Sequence, residues 1–461
     1  MSGRKALIAS VGNPRNQKTG EYRMADYFLT SDPAQTFQSS YTIEALTKLK
    51  CVDKLILIGT AGSDWFALYY YLCKMQNILV GPVTDFDEEY AKELLALGLD
   101  PNRRDRDLVE VERLLEQLRD SFDPRLDTDI ILMRYGLTEQ EWDENFHLLR
   151  RIDERLEDDD ELILDTTHSF RSLPIFQMLS VFYFQHVSGK EIKLNMLSYG
   201  MFEATSECGD KTPIIDMKCL AEMMEYIQAA NEYKRFGTTY SIDKLISGRD
   251  DAMRGGLSRE EWRIFGRLSD VASINDIKTF RKIVQWCHEQ NDGLIAEDNE
   301  LELLADTIFA DIDKQFYKDL ADEILTQFNL ARWHYDRKRY LCAATTARET
   351  CITFVMQLCG EENDTHQERE RYAHALSDMF CTNPACKQFN DIRKRLFKLR
   401  NDLAHIPHDG LTYEDRIRLL DQLLSEIQGV YVEQFTAVGV GAENAETNRN
   451  DLKNAVCVVM V

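Results

Sequence analysis

Hydrophobic positions follow different patterns in the two halves of the chain. Up to about residue 215, short runs rich in β-branched residues, such as LILIG at 55–59, alternate with helical patterns. Such alternation is typical of an α/β domain whose mainly parallel sheet is covered by helices on both faces. From about residue 217 the pattern is almost entirely helical. The sequence therefore predicts a Rossmann-like α/β domain followed by an all-α helical domain.

The pattern also predicts the individual elements and the domain bounds. Six runs are expected to be strands: KALIASVG, DKLILIG, NILVG, DIILMRYG, ELILDTT and IKLNMLSYGMFE. Helices are expected between them near residues 37–50, 63–75, 86–120, 138–156 and 172–186. The predicted domains are an α/β domain at 1–216, a helical connector at 217–312 and a helical bundle at 313–461. The last part of the bundle is expected to be a short tail with a flexible polar stretch and an apolar end.

Composition narrows the class of protein. No apolar run approaches the roughly 20 residues that cross a bilayer, so no membrane span is predicted. The N-terminal stretch MSGRKALIASVG lacks the apolar region of a secretory signal, and a cytoplasmic location is expected. The 11 cysteines are odd in number and mostly lie in apolar contexts, which favours reduced thiols. Cys381 and Cys386 lack the second pair that a zinc site needs, so no metal is predicted.

The net charge of −24 argues against a surface that coats nucleic acid along its whole length. One local segment is basic, however, and it spans KQFNDIRKRLFKLRNDLAH. Its cations are Lys387, Arg393, Lys394, Arg395, Lys398 and Arg400. A solvated helix face is the simplest interpretation of such a segment.

The end of this basic segment carries candidate catalytic chemistry. Asn401 and His405 are four residues apart and share one helix face, so the amide could orient the imidazole. Arg400 lies about 140° away from His405 around an ideal helix, and it would have to reach round or act with a histidine of another copy. Histidine exchanges protons near neutral pH, and arginine offers a charged fork to phosphate. The set suits metal-free RNA cleavage.

The spacing alone does not decide this function. Arg369 and His374 have the same R-x-x-x-x-H spacing within an acidic segment, and we expect a solvated helix there. For His405, a structural role at a helix C-terminus is an equal alternative, because the helix dipole favours cations at that end.

Three loops follow predicted strands at the edge where an open α/β sheet binds ligands: SVGNPRNQKTGEYR, GTAGSDW and DTTHSFRS. Hydroxyl, imidazole and guanidinium groups in these loops could cradle phosphate and ribose. The candidate ligand-binding residues are Ser10, Gly12, Asn13, Thr60, Ser63, Thr167, His168, Ser169 and Arg171. Helix capping is an equal alternative for Thr60 and Ser63, and for Asp165 the closure of a turn is favoured. Dinucleotide and P-loop motifs are absent from the sequence, so a dinucleotide cofactor or a P-loop NTPase has no support.

Two motifs resemble known families. A helical C-terminal domain with R-N-x-x-x-H near its end resembles the HEPN ribonucleases, and RKRYLCAATTARETCITF, with Arg348 and Glu349, is similar to their second helix. LILDTTHSFRSLPIF resembles the CARF domains of CRISPR-associated type III ancillary nucleases. In this order the two domains resemble the CARF-HEPN ribonucleases over essentially the whole chain. Ser169 departs from the glycine that is more frequent there in the family.

The resemblance implies a function and its partners. It implies that the chain forms a homodimer, and a larger oligomer is the further option. It also implies that cyclic oligoadenylate binds the α/β domain of the dimer and activates cleavage of single-stranded RNA by Arg400, Asn401 and His405. A two-fold dimer can grip a ring of even symmetry identically from both sides. Of the two even rings, cyclic tetra-adenylate is favoured over cyclic hexa-adenylate. No cofactor is expected. The alternative is a non-enzymatic nucleotide-sensing regulator that binds nucleic acid through the basic helix.

Overall fold

The computed structural model describes residues 3–12, 22–75, 77–80, 85–168, 172–247, 259–291, 300–405 and 410–460. The chain forms two compact units, Met1–Glu222 and Met223–Val461. The first is an α/β unit and the second is helical, which confirms the fold classes that the hydrophobic pattern predicts. The division of the helical part at residue 312 stays a prediction.

A single sheet of eight strands forms the centre of the first unit, in the order β3-β2-β8-β7-β6-β1-β4-β5. The strands are β1 (Lys5–Ser10), β2 (Ala25–Leu29), β3 (Asp32–Ser39), β4 (Lys54–Gly59), β5 (Asp127–Leu132), β6 (Glu161–Asp165), β7 (Lys193–Gly200) and β8 (Thr212–Asp216). Parallel pairs join β1 to β4 and β6, β4 to β5, and β6 to β7. Five strands therefore end at the same edge, which we call the ligand edge.

The remaining three strands bring more of the chain to the ligand edge. β8 is antiparallel to β7, β2 is parallel to β8, and β3 is antiparallel to β2. It follows that β2 begins at the ligand edge and that β3 ends there. The segments just before residue 25 and just after residue 39 thus lie beside the loops that follow β1, β6 and β7.

Helices cover both faces of the sheet. They are α1 (Thr42–Lys50), α2 (Trp65–Lys74), α3 (Glu88–Leu99), α4 (Leu108–Arg119), α5 (Glu139–Asp153) and α6 (Ser172–His186), and α7 (Lys218–Phe236) follows β8. Leu7 and Ala9 of β1 pack in the core beneath α1–α4, whereas Ala6 and Ile8 pack in the core beneath α5 and α6. Alternate residues of a strand point to opposite faces, so a continuous apolar run is buried on both sides.

Some of the expected elements in the first unit differ in the structure. The segment NILVG is wrong as a predicted strand, because only Val80 pairs there, in an isolated bridge with Phe122. The helix expected over 86–120 is two helices, α3 and α4, separated by a short 3-10 turn at Arg103–Asp105. The helix expected to begin near residue 37 starts at Thr42, because residues 32–39 form β3.

The second unit consists of helices with two apolar cores. Its helices are α8 (Tyr240–Ser247), α9 (Arg259–Ser273), α10 (Ile277–Asn291), α11 (Glu300–Phe316), α12 (Glu323–Asp336), α13 (Tyr340–Cys359), α14 (His366–Asp378), α15 (Pro384–Ala404), α16 (Tyr413–Phe435), α17 (Ala437–Val440) and α18 (Ala442–Met460). One core involves α7–α12 and the other α12–α18. α12 joins them, since Trp333 packs in the first and Phe328 in the second.

The C-terminal segment corrects the expectation of a flexible tail. Residues 442–460 form α18, and its Leu452 and Val456 are fully buried in the core of α12–α18. Apolar residues separated by four positions lie on one helix face, which explains why a segment with a polar composition still packs. Within the described ranges, none of the helices combines the length and apolar character needed to cross a bilayer.

Candidate functional site

The switch point of the sheet lies at the ligand edge between the ends of β1 and β6, and we call the region around it the crevice. The parallel core continues from β1 to β4 and β5 on one side, and to β6 and β7 on the other. Ligands of open α/β sheets bind at such a switch point. Gly12 and His168 meet there, because a Cβ added to Gly12 would lie 2.3 Å from the Cβ of His168. Two of the predicted ligand-binding residues are therefore in contact, and the contact requires glycine at position 12.

His168 is a neutral group in this crevice. Burial lowers the pKa of its imidazole to about 4. Its Nε2 lies 3.5 Å from Oγ1 of Thr42, at the start of α1, and its ring centroid lies 5.9 Å from that of Phe202. At neutral pH His168 can donate a hydrogen bond to a ligand or accept one from it, but it cannot offer a positive charge to a phosphate.

Thr167 ties two strands together at the ligand edge. Its hydroxyl donates to Oδ1 of Asp165 at 2.5 Å and accepts from the backbone N–H of Gly200 at 2.7 Å. The backbone N–H of Thr167 also donates to Asp165 Oδ1, at 3.2 Å. These bonds use the Thr167 side chain to hold the loop after β6 against the end of β7.

Asp165 is a fully buried carboxyl group beneath this loop. Its Oδ1 also lies within 3.3 Å of the Ser198 hydroxyl, while among the described residues its Oδ2 has no hydrogen-bond partner. Burial raises the pKa of Asp165 to about 6. The bonds to Thr167 agree with the favoured interpretation of Asp165 as the residue that closes a turn.

Ser10 and Ser63, two other described candidates at this edge, are also bonded within the protein, whereas the buried hydroxyl of Thr60 has no hydrogen-bond partner among the described residues. The Ser10 hydroxyl is buried and accepts from Nε2 of Gln177 at 3.1 Å. The Ser63 hydroxyl accepts from the backbone N–H of Thr60 at 3.0 Å, and Asp64, not Ser63, caps α2 through the N–H of Ala67. These side chains shape the loops. The remaining candidates, Asn13, Ser169 and Arg171, lie outside the described residues.

Two residues at the ligand edge were missed by the sequence analysis. Arg23 lies just before β2, and its guanidinium carbon is 4.9 Å from the centroid of the Phe202 ring, just after β7. Arg23 belongs to the loop SVGNPRNQKTGEYR, but its place could not be inferred while β2 was unrecognised. An alternating pattern in ADYFL, residues 25–29, was the available signal.

The second candidate site is at the end of α15. Pro384 follows the capping residue Asn383, and the helix ends where His405 adopts an extended backbone, φ −121° and ψ 171°. The His405 side chain is exposed. This end geometry presents the imidazole to solvent at the rim of the helix.

Asn401 contacts both of its partners in the motif. Its side-chain oxygen accepts from Nη1 of Arg400 at 3.3 Å, and its backbone carbonyl accepts from the backbone N–H of His405 at 3.0 Å. The buried Nε of Arg400 has no hydrogen-bond partner among the described residues. In one chain, therefore, the Asn401 amide orients the guanidinium of Arg400.

The basic helix is less cationic at its surface than the sequence suggests. Arg393 is 1% exposed, donates to the Leu376 carbonyl at 2.9 Å and packs over the Phe397 ring. Arg395 is paired with Glu426 at 3.0 Å. Lys387, Lys394 and Lys398 are exposed. The expectation of a solvated face is thus wrong for Arg393, which is part of the core.

The segment with the same spacing as the motif has a structural role. Arg369 donates to Oε2 and to the backbone carbonyl of Glu349, each at 2.9 Å, and to Asp364 at 2.8 Å. Glu349 also pairs with Arg348. The expectation of a solvated helix holds for the exposed His374 but is wrong for Arg369, which joins α13 to α14.

An open groove of about 760 Å³ lies between α15 and α16, lined in part by Lys387, Arg395 and Glu426. Arg395 precedes His405 by about 15 Å along the helix axis, so the groove does not include the motif. Among the described residues, no three His, Cys, Asp or Glu side chains are grouped as metal ligands.

Comparison with known families assigns the first unit. Residues 6–203 match the family model described as "CRISPR system endoribonuclease Csx1, CARF domain". The first unit is therefore similar to the Csx1 CARF domain. The matched residues run from β1 to just beyond β7, so the crevice of Gly12 and His168 lies within the CARF domain.

A curated relative extends the likeness beyond the CARF domain. The CRISPR-associated protein MJ1674 of Methanocaldococcus jannaschii is 27% identical over 401 residues, which are 84% of this chain. The match covers 59% of that protein, so the chain spans about three fifths of its relative's length. Together the two matches support a type III CRISPR ancillary family with a CARF domain.

Among solved structures, the chain is similar to Enterococcus italicus Csm6 bound to cyclic hexa-2'-fluoro-hexa-dAMP. The identity is 12%, the match covers 99% of each chain, and the TM-score is 0.35. A likeness at that TM-score supports no statement about the fold or the ligand of this chain.

Proposed function

We propose that the chain is an endoribonuclease of type III CRISPR defence that cleaves single-stranded RNA without a metal ion when cyclic oligoadenylate binds its CARF domain. The observation that carries the proposal is the match of residues 6–203 to the CARF domain of a CRISPR system endoribonuclease. The exposed His405 at the end of α15, in the sequence R-N-x-x-x-H, supplies the candidate chemistry.

The activator binds at the ligand edge of the CARF domain. Gly12 and His168 form the floor of the crevice, and Thr167 holds the adjacent loop in place. Asn13, Ser169 and Arg171 are further candidates for contacts with the ring. Two copies of the chain present the same crevice twice, and cyclic tetra-adenylate is favoured over cyclic hexa-adenylate as the ring between them.

The catalytic residues are His405, Arg400 and Asn401, in a helical domain of the HEPN type at residues 313–461. His405 transfers protons between the ribose 2′-hydroxyl, the phosphate and the leaving oxygen. Arg400 stabilises the charge on the phosphate. Asn401 orients Arg400 through the bond at 3.3 Å. The products carry 2′,3′-cyclic phosphate and 5′-hydroxyl ends.

The site requires two chains. Arg400 and His405 of one helix point in directions about 140° apart, so one phosphate cannot contact both side chains without distortion. A histidine and an arginine from facing copies of α15 can contact it together. The helical connector at 217–312 would transmit the change from the CARF domain, since a ligand shifts an equilibrium only by its differential affinity for the two states.

The experiment is cleavage of end-labelled single-stranded RNA in EDTA, with no ligand, with cyclic tetra-adenylate and with cyclic hexa-adenylate. Strong activation by one ring, with 2′,3′-cyclic phosphate ends, is the expected result. Cleavage that EDTA abolishes would overturn the mechanism. Activity indifferent to both rings would overturn the sensor assignment.

The alternative of a non-enzymatic regulator is weakened by the state of the basic helix. Arg393 is buried and Arg395 is neutralised by Glu426. Two of the cations of the basic helix are therefore not available for phosphate contacts. Binding of RNA that falls steeply with salt, with no product and no effect of His405→Ala, would favour that alternative.

A further inference from the structure

The CARF crevice needs a positive charge that the described candidates do not provide. The hydroxyl groups of Ser10, Ser63 and Thr167 are bonded within the protein. His168 is neutral, because burial lowers the pKa of its imidazole to about 4. A ligand built from phosphodiesters carries one negative charge for each phosphate, and arginine matches such groups with a fork of N–H donors.

Arg23 has the chemistry and the position for this task. The reversed direction of β2 places the chain before Ala25 at the ligand edge, so Arg23 lies on the same edge as His168. Its side chain is exposed, and among the described residues no carboxylate forms an ion pair with it. The charge of Arg23 is therefore available to an anion from solvent.

Phe202 gives the guanidinium a defined position. The guanidinium carbon lies 4.9 Å from the Phe202 ring centroid, a distance at which an arginine is attracted to an aromatic face. The ring is held in turn by the fully buried Tyr27, whose centroid lies 5.7 Å away at an interplanar angle of 77°. The His168 ring lies 5.9 Å from Phe202, so this pair borders the crevice directly.

We propose that Arg23, positioned by the face of Phe202, is a phosphate-binding residue of the CARF crevice and contacts the phosphodiester groups of the cyclic oligoadenylate. This inference rests on the proposed function, because the ligand is the activator named there. Arg23 is the binding residue, and Phe202 acts through it as a positioning residue.

The test measures binding of cyclic tetra-adenylate and cyclic hexa-adenylate to the full chain by isothermal titration calorimetry at two salt concentrations. For the ring that binds wild-type protein, Arg23→Ala is expected to raise Kd at least tenfold. The slope of log Kd against log salt should fall by about one unit for the lost phosphate contact. Arg23→Lys is expected to restore part of the affinity, since it keeps the charge but loses the fork.

The matched control is Arg125→Ala. Arg125 has an 89% exposed side chain paired with Asp123 and precedes β5, so it lies at the opposite edge of the same sheet. The Arg125→Ala substitution removes the same positive charge as Arg23→Ala and should leave the Kd of the ring unchanged. Phe202→Leu should weaken binding, and Phe202→Tyr, which keeps an aromatic face beside the guanidinium, should restore it.

The outcomes separate the two hypotheses. If wild-type protein binds a ring and Arg23→Ala binds it with the same Kd and salt slope, the Arg23 inference is overturned and the proposed function stands. An equal loss in Arg23→Ala and Arg125→Ala also overturns it, because the effect would then be one of net charge. If wild-type protein binds neither ring, both hypotheses fail.

Discussion

Gly12 and His168, distant in the sequence, approach each other so closely in the CARF crevice that position 12 has no room for a side chain. The atom nearest to an added Cβ is the Cβ of His168. Because this atom is bonded directly to the backbone, it cannot rotate away as the tip of a flexible side chain could. The shape of the crevice thus depends on the absence of one methyl group.

Gly12→Ala is therefore expected to displace His168 and to weaken the binding of the cyclic ligand. Forcing a methyl group into a packed site costs on the order of 1–3 kcal/mol, which denaturant unfolding would measure. The control is Gly98→Ala in α3, where nothing lies within 4 Å of the added Cβ. That change should stabilise the protein by about 0.5–1 kcal/mol, as alanine is favoured over glycine in helices. Wild-type stability and affinity in Gly12→Ala would contradict the close approach.

His405→Ala is expected to reduce RNA cleavage by a factor on the order of 10²–10⁴, the usual contribution of a proton-transferring group. Binding of the cyclic ligand should not change, since His405 lies in the helical unit. His374→Ala is the matched control, because His374 is exposed and follows an arginine at the same spacing. Cleavage rates with saturating activator, measured for both variants, test the assignment. An equal effect of the two substitutions would count against the R-N-x-x-x-H site.

Asp165→Asn is expected to stabilise the protein at neutral pH. Burial raises the pKa of Asp165 to about 6, so the folded state favours the protonated carboxyl. The contribution of Asp165 to the stability of the folded protein is fully present below about pH 3.9, the pKa of an aspartate in the unfolded chain. This contribution is lost as pH rises through 6. At pH 7 the ionised Asp165 lowers the free energy of unfolding by on the order of 3 kcal/mol. The uncharged asparagine avoids this loss. The gain in unfolding free energy should fall toward zero near pH 4.

A control for this prediction is Asp159→Asn, which should act with the opposite sign. A hydrogen bond from Lys193 lowers the pKa of the exposed Asp159, so its ionised form is the stabilising one. The effect of His168 on stability changes with pH in the opposite direction to that of Asp165. Burial lowers the pKa of His168 to about 4, so its contribution to the stability of the folded protein is present above about pH 6.5 and is lost as pH falls through 4. The contributions of Asp165 and His168 should thus largely cancel between pH 4 and 6.5, whereas Asp165→Asn leaves the gain from His168 with rising pH unopposed.

Arg393→Ala is expected to destabilise the helical unit by on the order of 2–4 kcal/mol, because it leaves a cavity and removes the donor to the buried Leu376 carbonyl. The neighbouring Lys394→Ala should change stability by less than about 0.5 kcal/mol. Denaturant unfolding of both variants distinguishes a core arginine from a surface one. If Arg393→Ala unfolds like wild type but binds RNA more weakly, the basic helix is a nucleic-acid surface after all.

The fold classes were predictable because both depend on local periodicity. The strands β1, β4 and β6 are continuous apolar runs, and each was recognised from its pattern. β3 was missed because seven of its eight residues, from Asp32 to Gln38, are exposed or half-buried at the sheet edge, so DPAQTFQS carries no apolar alternation. A sheet-edge strand needs little apolar surface, and its pairing with β2 could be seen only in three dimensions.

The candidate sites were predictable as loops but not as contacts. A strand followed by D-T-T-H indicates an edge loop, yet the bond between Thr167 and Gly200 depends on which strand lies beside β6. Arg23 shows the same limit, since its place follows from the reversed direction of β2. In α15 the helical period predicts the face on which each residue lies, but burial of Arg393 depends on its packing beside α14 and Phe397.

The burial of α18 has a practical consequence for work with this protein. Leu452 and Val456 fill space among α13, α14 and α16, so a truncation after Gly441 would remove part of the interior. Such a shortened polypeptide should expose apolar side chains and precipitate on expression. An affinity tag is therefore better fused through a spacer after Val461 than used to replace the last helix.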